Sequence, residues 1–333
     1  MTWRVAGAAR ATTGKRANQE DAFAIWPPGA HAATQRGEGL LAVVADGMGG
    51  HAGGEVAGQL ACETFVASFA AADGAIGERL QDALDAGNAA IATRTAQDEE
   101  LRGMGCTLIG AWIDGAGLHW VSVGDSLLLL FRAPEVLRLN ADHSLGAFLD
   151  DQVRRNLISP TEAETNPYRN ALRSALTGKT IEIVDLRAKT YPLAAGDWVI
   201  LASDGIATLE GDEIGDIVYA SRDAGPETMA ERLIAAVVAK EQPEQDNTTV
   251  VVVKIADEAS ASEDETTRIL RHDVGPVAAL MPYPKADGGV ETTQRIIEPP
   301  AYRSFFSRYR NAVVGMAMGL MFLVGWLVRA YLQ

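Results

Sequence analysis

Two kinds of hydrophobic pattern alternate along the first 255 residues. Compact apolar runs at Leu40 to Ala45, Trp198 to Ala202 and Thr249 to Ile255 read as buried strands. Further strand-like runs lie at Phe23 to Trp26, Thr107 to Ile113, Leu118 to Val123, Leu127 to Phe131 and Val184 to Tyr191. Short turns containing Gly or Asp join most of them, which favours antiparallel pairing over a doubly wound parallel sheet. Amphipathic stretches predict helices over Glu55 to Ala71, Ile76 to Glu100, Phe148 to Asn156 and Pro226 to Lys240. Ser159-Pro160-Thr161-Glu162 starts another, with a capping serine, a proline in the first turn and a glutamate closing the box. Helices before the central strands and more after them point to an α+β arrangement of layers.

The pattern changes after residue 255. Residues 256–302 are rich in Glu, Asp, Thr and Pro, with nine acids against four bases, and read as a linker. Residues 303–333 contain four arginines and no acid. Ala312 to Val328 is uncharged and mostly apolar, and seventeen helical residues span about 25 Å, near the hydrocarbon thickness of a bilayer. We expect a single C-terminal membrane helix. Arg303, Arg308 and Arg310 precede it, which keeps the preceding domain cytoplasmic by the positive-inside rule. No stretch of signal-peptide length appears at the N-terminus.

Charge and cysteine content narrow the function. A formal net charge of -15 excludes a protein that binds nucleic acid through a basic face. Cys62 and Cys106 offer neither a disulfide framework nor a zinc site. The informative polar residues are three aspartates at the ends of apolar runs: Asp46, Asp204 and Asp246. Strands delivering carboxylates to one end of a sheet create a negative pocket, which folding tolerates when cations occupy it. Oxygen-only donors select Mg²⁺ or Mn²⁺, and two such ions ready water for in-line attack on phosphorus. In Arg16-Ala17-Asn18-Gln19-Glu20-Asp21, the arginine offers a phosphoryl clamp and the acids offer partners for waters around a metal.

These segments resemble the ordered motifs of the metal-dependent protein phosphatases of the PPM (type 2C serine/threonine) family. The matching residues are Arg16 to Asp21, Asp46 to His51, Met104 to Thr107, Gly124-Asp125-Ser126, Asp142-His143-Ser144, Asn166 to Asn170, Gly196-Asp197, Ser203-Asp204-Gly205 and Asp246 to Thr249. The resemblance covers about residues 3–255 and implies a four-layer α-β-β-α sandwich with a dinuclear Mn²⁺ or Mg²⁺ site at one end of two antiparallel sheets. It implies that Asp46, Asp204 and Asp246 are metal carboxylates and that Gly47 lends a carbonyl. Glu20 and Asp21 hold metal waters, Arg16 meets the substrate phosphate, and Asp125 with Asp204 makes a third metal site. Residues 145–180 resemble the family's flap. Met48 stands where animal members carry a histidine, Leu127 where arginine is usual, Cys106 where Thr or Ser is usual, and Asn166 where His is common.

The function so implied is hydrolysis of phosphoserine and phosphothreonine in proteins, opposing a Ser/Thr kinase. A non-catalytic scaffold is the competing reading. Gly124-Asp125-Ser126-Leu127 also spells the signature of GDSL esterases, with Ser126 as nucleophile, but the chain has no Asp-x-x-His pair to complete such a site. In the linker, Thr266 and Thr293 each precede an isoleucine by three positions. Phosphorylated by a partner kinase, they would resemble the phosphothreonine tags read by forkhead-associated domains.

Overall fold

The run Leu40 to Ala45 is a strand buried on both faces, and the two faces meet different neighbours. Leu41, Val43 and Ala45 pack into a core with Ala57, Ala61, Phe65, Leu80 and Leu84 from two helices. Leu40, Ala42 and Val44 pack into a second core with Val5, Leu128, Val199 and Val251 from another sheet. A computed structural model describes residues 3–27, 31–33, 39–49 and 52–257.

Strands β1 (Trp3–Thr12), β2 (Ala22–Trp26), β3 (His31–Ala33), β4 (Gly39–Ala45) and β5 (Gly47–Met48) precede helices α1 (Gly53–Ala71) and α2 (Ile76–Gln97). Next come β6 (Gly105–Cys106), β7 (Leu108–Asp114), β8 (Gly117–Val123), β9 (Leu127–Arg132) and β10 (Glu135–Arg138). The chain continues through α3 (Leu145–Arg154), α4 (Pro160–Glu164), β11 (Asp185–Tyr191), β12 (Trp198–Ala202), α5 (Gly211–Ser221), α6 (Pro226–Ala239) and β13 (Thr248–Asp257). One antiparallel sheet has the order β10-β9-β12-β13-β1-β3 and the other β11-β8-β7-β4-β2, with β5 and β6 paired apart. Helices α1 and α2 cover the outer face of the second sheet. On the outer face of the first, Ile200, Val250 and Val252 meet Ile214 and Val218 of α5 and Met229, Leu233 and Val237 of α6. Three apolar layers thus separate four layers of secondary structure, as the expected α-β-β-α sandwich requires.

The differences from the sequence reading are local. Asp98 ends the second helix and its carboxylate accepts from Glu100 N at 3.1 Å, so residues 99–101 form a separate 3₁₀ turn instead of continuing the helix to Glu100. Ser144 caps α3 by accepting from Ala147 N at 3.1 Å, which starts that helix before Phe148. Ser159 caps α4, accepting from Glu162 N at 3.1 Å. Ala256 and Asp257, placed in the linker from composition, end β13, where they pair with Arg4 and Trp3. The rest of the linker, the expected membrane helix, and Gly50 and His51 lie outside the described residues. Among the described residues, no helix is long and apolar enough to cross a membrane.

Candidate metal centre

The backbone brings the strand-end acids together before any side-chain chemistry is considered. Asp46 follows β4 in one sheet and Asp204 follows β12 in the other. Asp246 precedes β13, which pairs with β12. The glycine after each Asp-Gly aspartate has a steric reason. A side chain at position 47 would collide with the backbone carbonyls of Glu20 and Gly54, and one at 205 with Asn247 O and the Thr248 hydroxyl. Side-chain clamps then fix the loops. Asn247 accepts from Glu20 N at 2.7 Å and donates to Thr13 O and Asn18 O at 3.0 and 2.9 Å, holding the 13–20 loop against β13. Thr107 N donates to Asp46 O at 2.9 Å while the Thr107 hydroxyl accepts from Asp46 N at 3.1 Å. That hydroxyl is also 2.7 Å from the Ser126 hydroxyl, which links the Asp46 turn to the Asp125 loop.

The carboxylates crowd one another. The Asp46 and Asp204 carboxyls lie within hydrogen-bonding reach, and Asp246 acts electrostatically on both. Burial, reinforced by Asp21, Asp204, Asp125 and Asp246, pushes Asp46 well above the usual carboxylate range. Burial and Asp246 raise Asp204. Burial raises Asp21 to about 6 against the opposing Ser203 hydroxyl, which donates to it at 2.7 Å. Asp125 is likewise raised to about 6 by burial and then by Asp204 and Asp142. Burial raises Glu20, and Arg16 opposes the shift. Arg16 Nη2 itself lies 2.5 Å from Asp246 Oδ2. In this arrangement no three acidic, histidine or cysteine side chains among the described residues converge tightly enough to grip an ion. The carboxylates are engaged with each other, with Arg16 and with Ser203. The donor set nevertheless fits hard divalent cations, because it is all oxygen and its members raise each other's proton affinity, a strain that cations relieve.

Arg16, Asp21, Asp46, Asp125, Asp204 and Asp246 all act on one another at this end of the sandwich, and Glu20 joins them by packing its carboxylate beside Gly54 at the start of α1. A cleft of about 850 Å³ opens over Asp46, Met48, Thr107, Asp125 and Asp204 and runs along residues 170–182. Two supporting residues escaped the sequence reading, and a third, Asn247, was matched only as part of the Asp246 to Thr249 motif, with no role of its own. Asn140 is a single amide whose spacing carries no signal; it accepts from Leu128 N at 2.8 Å and donates to Ser126 O at 2.9 Å. Arg138 comes from β10, and its guanidinium donates to Asp125 O at 2.8 Å and Ser126 O at 3.3 Å and pairs with Asp142 at 2.9 Å. Ser126 is 1% exposed, hydrogen-bonded to Thr107 and followed by β9, so it lacks the access an esterase nucleophile needs.

A two-sheet sandwich that gathers acids at one end is the architecture of a metal-dependent phosphatase domain. The model of the protein phosphatase 2C family matches residues 10–237, and the chain belongs to that family. It is 36% identical over 247 residues to the serine/threonine protein phosphatase PstP of Mycobacterium tuberculosis, covering 73% of this chain and 43% of that one. It therefore spans less than half the length of that relative. It is 30% identical over 224 residues to the protein phosphatase PhpP of Streptococcus pneumoniae, covering 66% of this chain and 87% of the other. The crystal structure of M. tuberculosis PstP superposes with a TM-score of 0.62 at 32% identity, covering 76% of this chain and 100% of that structure. A structure of the PstP catalytic domain in complex with two manganese ions matches with a TM-score of 0.60, also at 32% identity, covering 77% and 100%.

Proposed function

We propose that this chain is a Mn²⁺- or Mg²⁺-dependent phosphatase that removes phosphate from serine and threonine of proteins. The observation that carries this reading is the electrostatic coupling of Asp46, Asp204 and Asp246, delivered from both sheets, with Asp46 and Asp204 lining an open cleft. In this proposal Asp46, Asp204, Asp246 and the Gly47 carbonyl hold two ions, Glu20 and Asp21 order waters around them, and Asp125 with Asp204 holds a third. When bound, the ions acidify water and offset the charge of the phosphoryl group. Arg16, paired with Asp246 at the rim, supplies a guanidinium for the phosphate oxygens. Ser203 and Thr107 keep Asp21 and the Asp46 turn in place. The solved PstP domain with two manganese ions supports the cofactor.

The physiological setting follows from sequence. The run Ala312 to Val328 behind an arginine-rich segment supports a C-terminal anchor with the phosphatase domain facing the cytoplasm. A Ser/Thr kinase is the natural opposing partner, and Thr266 and Thr293 are candidate tags for a forkhead-associated domain. The test of activity is direct. The purified chain is expected to hydrolyse p-nitrophenyl phosphate and a phosphothreonine peptide with Mn²⁺. EDTA should abolish this, and Asp204→Asn should lower kcat by at least about a hundredfold. Hydrolysis indifferent to both would exclude the proposal and leave the scaffold reading.

A further inference from the structure

The cleft over the aspartates continues well past the space a phosphoryl group needs, and its far wall carries charge of its own. Arg173, Thr177, Lys179, Thr180 and Glu182 line that wall. The Arg173 guanidinium lies 4.3 Å over the Phe148 ring, so its position is tied to α3. Lys179 is exposed and enters no ion pair among the described residues. Its backbone is nonetheless fixed. Asn88 of α2 accepts from Thr177 N at 3.2 Å and from Gly178 N at 2.8 Å, and donates to Lys179 O at 2.7 Å. Gly178 adopts φ +75 and sits so close to the Ala92 backbone that no side chain fits there. Helix α2 belongs to the sandwich, so the Lys179 backbone is anchored to it on the cleft wall and its flexible side chain searches from a fixed root. An unpaired cation held on a substrate cleft discriminates by charge, because an acidic group gains an interaction there that a neutral one lacks.

We propose that Lys179 is a specificity-determining residue that reads a carboxylate side chain flanking the phosphorylated residue of a protein substrate. Glu182 lines the same wall and repels a carboxylate that comes near it, which limits the preference to substrate positions that place the acid at Lys179. The inference rests on the phosphatase reading above and deepens it.

The experiment compares full-length protein on phosphothreonine peptides in which Glu or Gln is placed in turn at each position around the phosphothreonine, with p-nitrophenyl phosphate alongside. The expected result is a Glu-over-Gln preference in kcat/KM of about three- to fivefold at one or two positions, weakening with salt. Lys179→Ala should remove that preference while leaving p-nitrophenyl phosphate and the Gln peptides unchanged. Lys179→Arg should retain it, and Lys179→Glu should turn it into a preference for Gln. Absence of any Glu preference in the wild-type protein, or its persistence in Lys179→Ala, overturns the inference and leaves the phosphatase reading standing. Failure of the wild-type protein to hydrolyse p-nitrophenyl phosphate overturns both.

Discussion

Asp46 is held in a turn whose backbone is fixed by Thr107 and whose next residue has no room for a side chain. Its backbone therefore has little freedom to carry the carboxyl away from Asp204. The cost shows in the raised proton affinities around it, and it sets a pH dependence. Asp21 and Asp125 titrate at about 6 in the fold, above the unfolded value near 4, so the folded state binds their protons more tightly. Without metal, these two residues favour the fold at low pH, and that contribution is lost as pH rises from about 4 through about 6. Cations take the place of the protons. The rise in Tm produced by Mn²⁺ should therefore be small near pH 4.5 and grow toward pH 7; an increment that does not vary with pH contradicts this assignment. Asn247 is the second residue to test. Replacing it by alanine removes three hydrogen bonds to the 13–20 loop and should destabilise the protein by about 2–3 kcal/mol in denaturant melts. The aspartates were legible in sequence because each interrupts a strongly apolar run. Asn247 stood in a matched motif, but its clamping role was not legible, because that role lies in contacts with residues more than two hundred positions away.

At the scale of elements, strands buried on both faces were readable, and of the partly buried ones β2 and β11 were read while β1 was not. β4, β12 and most of β13 are nearly continuous apolar runs whose residues are mostly unexposed. β1 lies between β13 and β3 in the same sheet, yet its Ala, Gly and Arg content gives it no strand pattern. Arg10 fits there because its guanidinium reaches Glu231 on α6 at 2.9 Å. Helix α5 went unread because Gly211, Asp212 and Gly215 dilute its apolar face, which tertiary packing on the sheet rescues. One ion pair fastens two neighbouring strands. Arg132 at the end of β9 grips Asp197, just before β12, with Nε–Oδ1 and Nη2–Oδ2 distances of 2.9 and 2.7 Å. The Asp197 side chain is only 2% exposed. Arg132→Ala strands a buried carboxylate with Ala194 N as its remaining partner, and should cost about 2–4 kcal/mol by denaturant unfolding while leaving the metal site in place. A loss below about 0.5 kcal/mol would mean water reaches Asp197 freely.

For the whole molecule, the layered fold followed from element order and from resemblance, and the family match and superposed structures support it. Strand β13 runs to Asp257, two residues beyond the apolar run read from sequence, because its end is recruited by pairing with β1 and not by apolar character. The proposed anchor predicts that the full chain sediments with membranes and is released by detergent, whereas a chain truncated after residue 302 stays in the supernatant. Equal partitioning of the two would remove the anchor from the account.

The central claim is that aspartates from both sheets gather divalent cations beneath the cleft. Anomalous scattering from Mn²⁺-soaked crystals measures that most directly. The account predicts two peaks about 3.5–4 Å apart, bounded by the carboxylates of Asp46, Asp204 and Asp246. Ordered carboxylates at those positions with no peak between them, at Mn²⁺ concentrations that support hydrolysis, would contradict it.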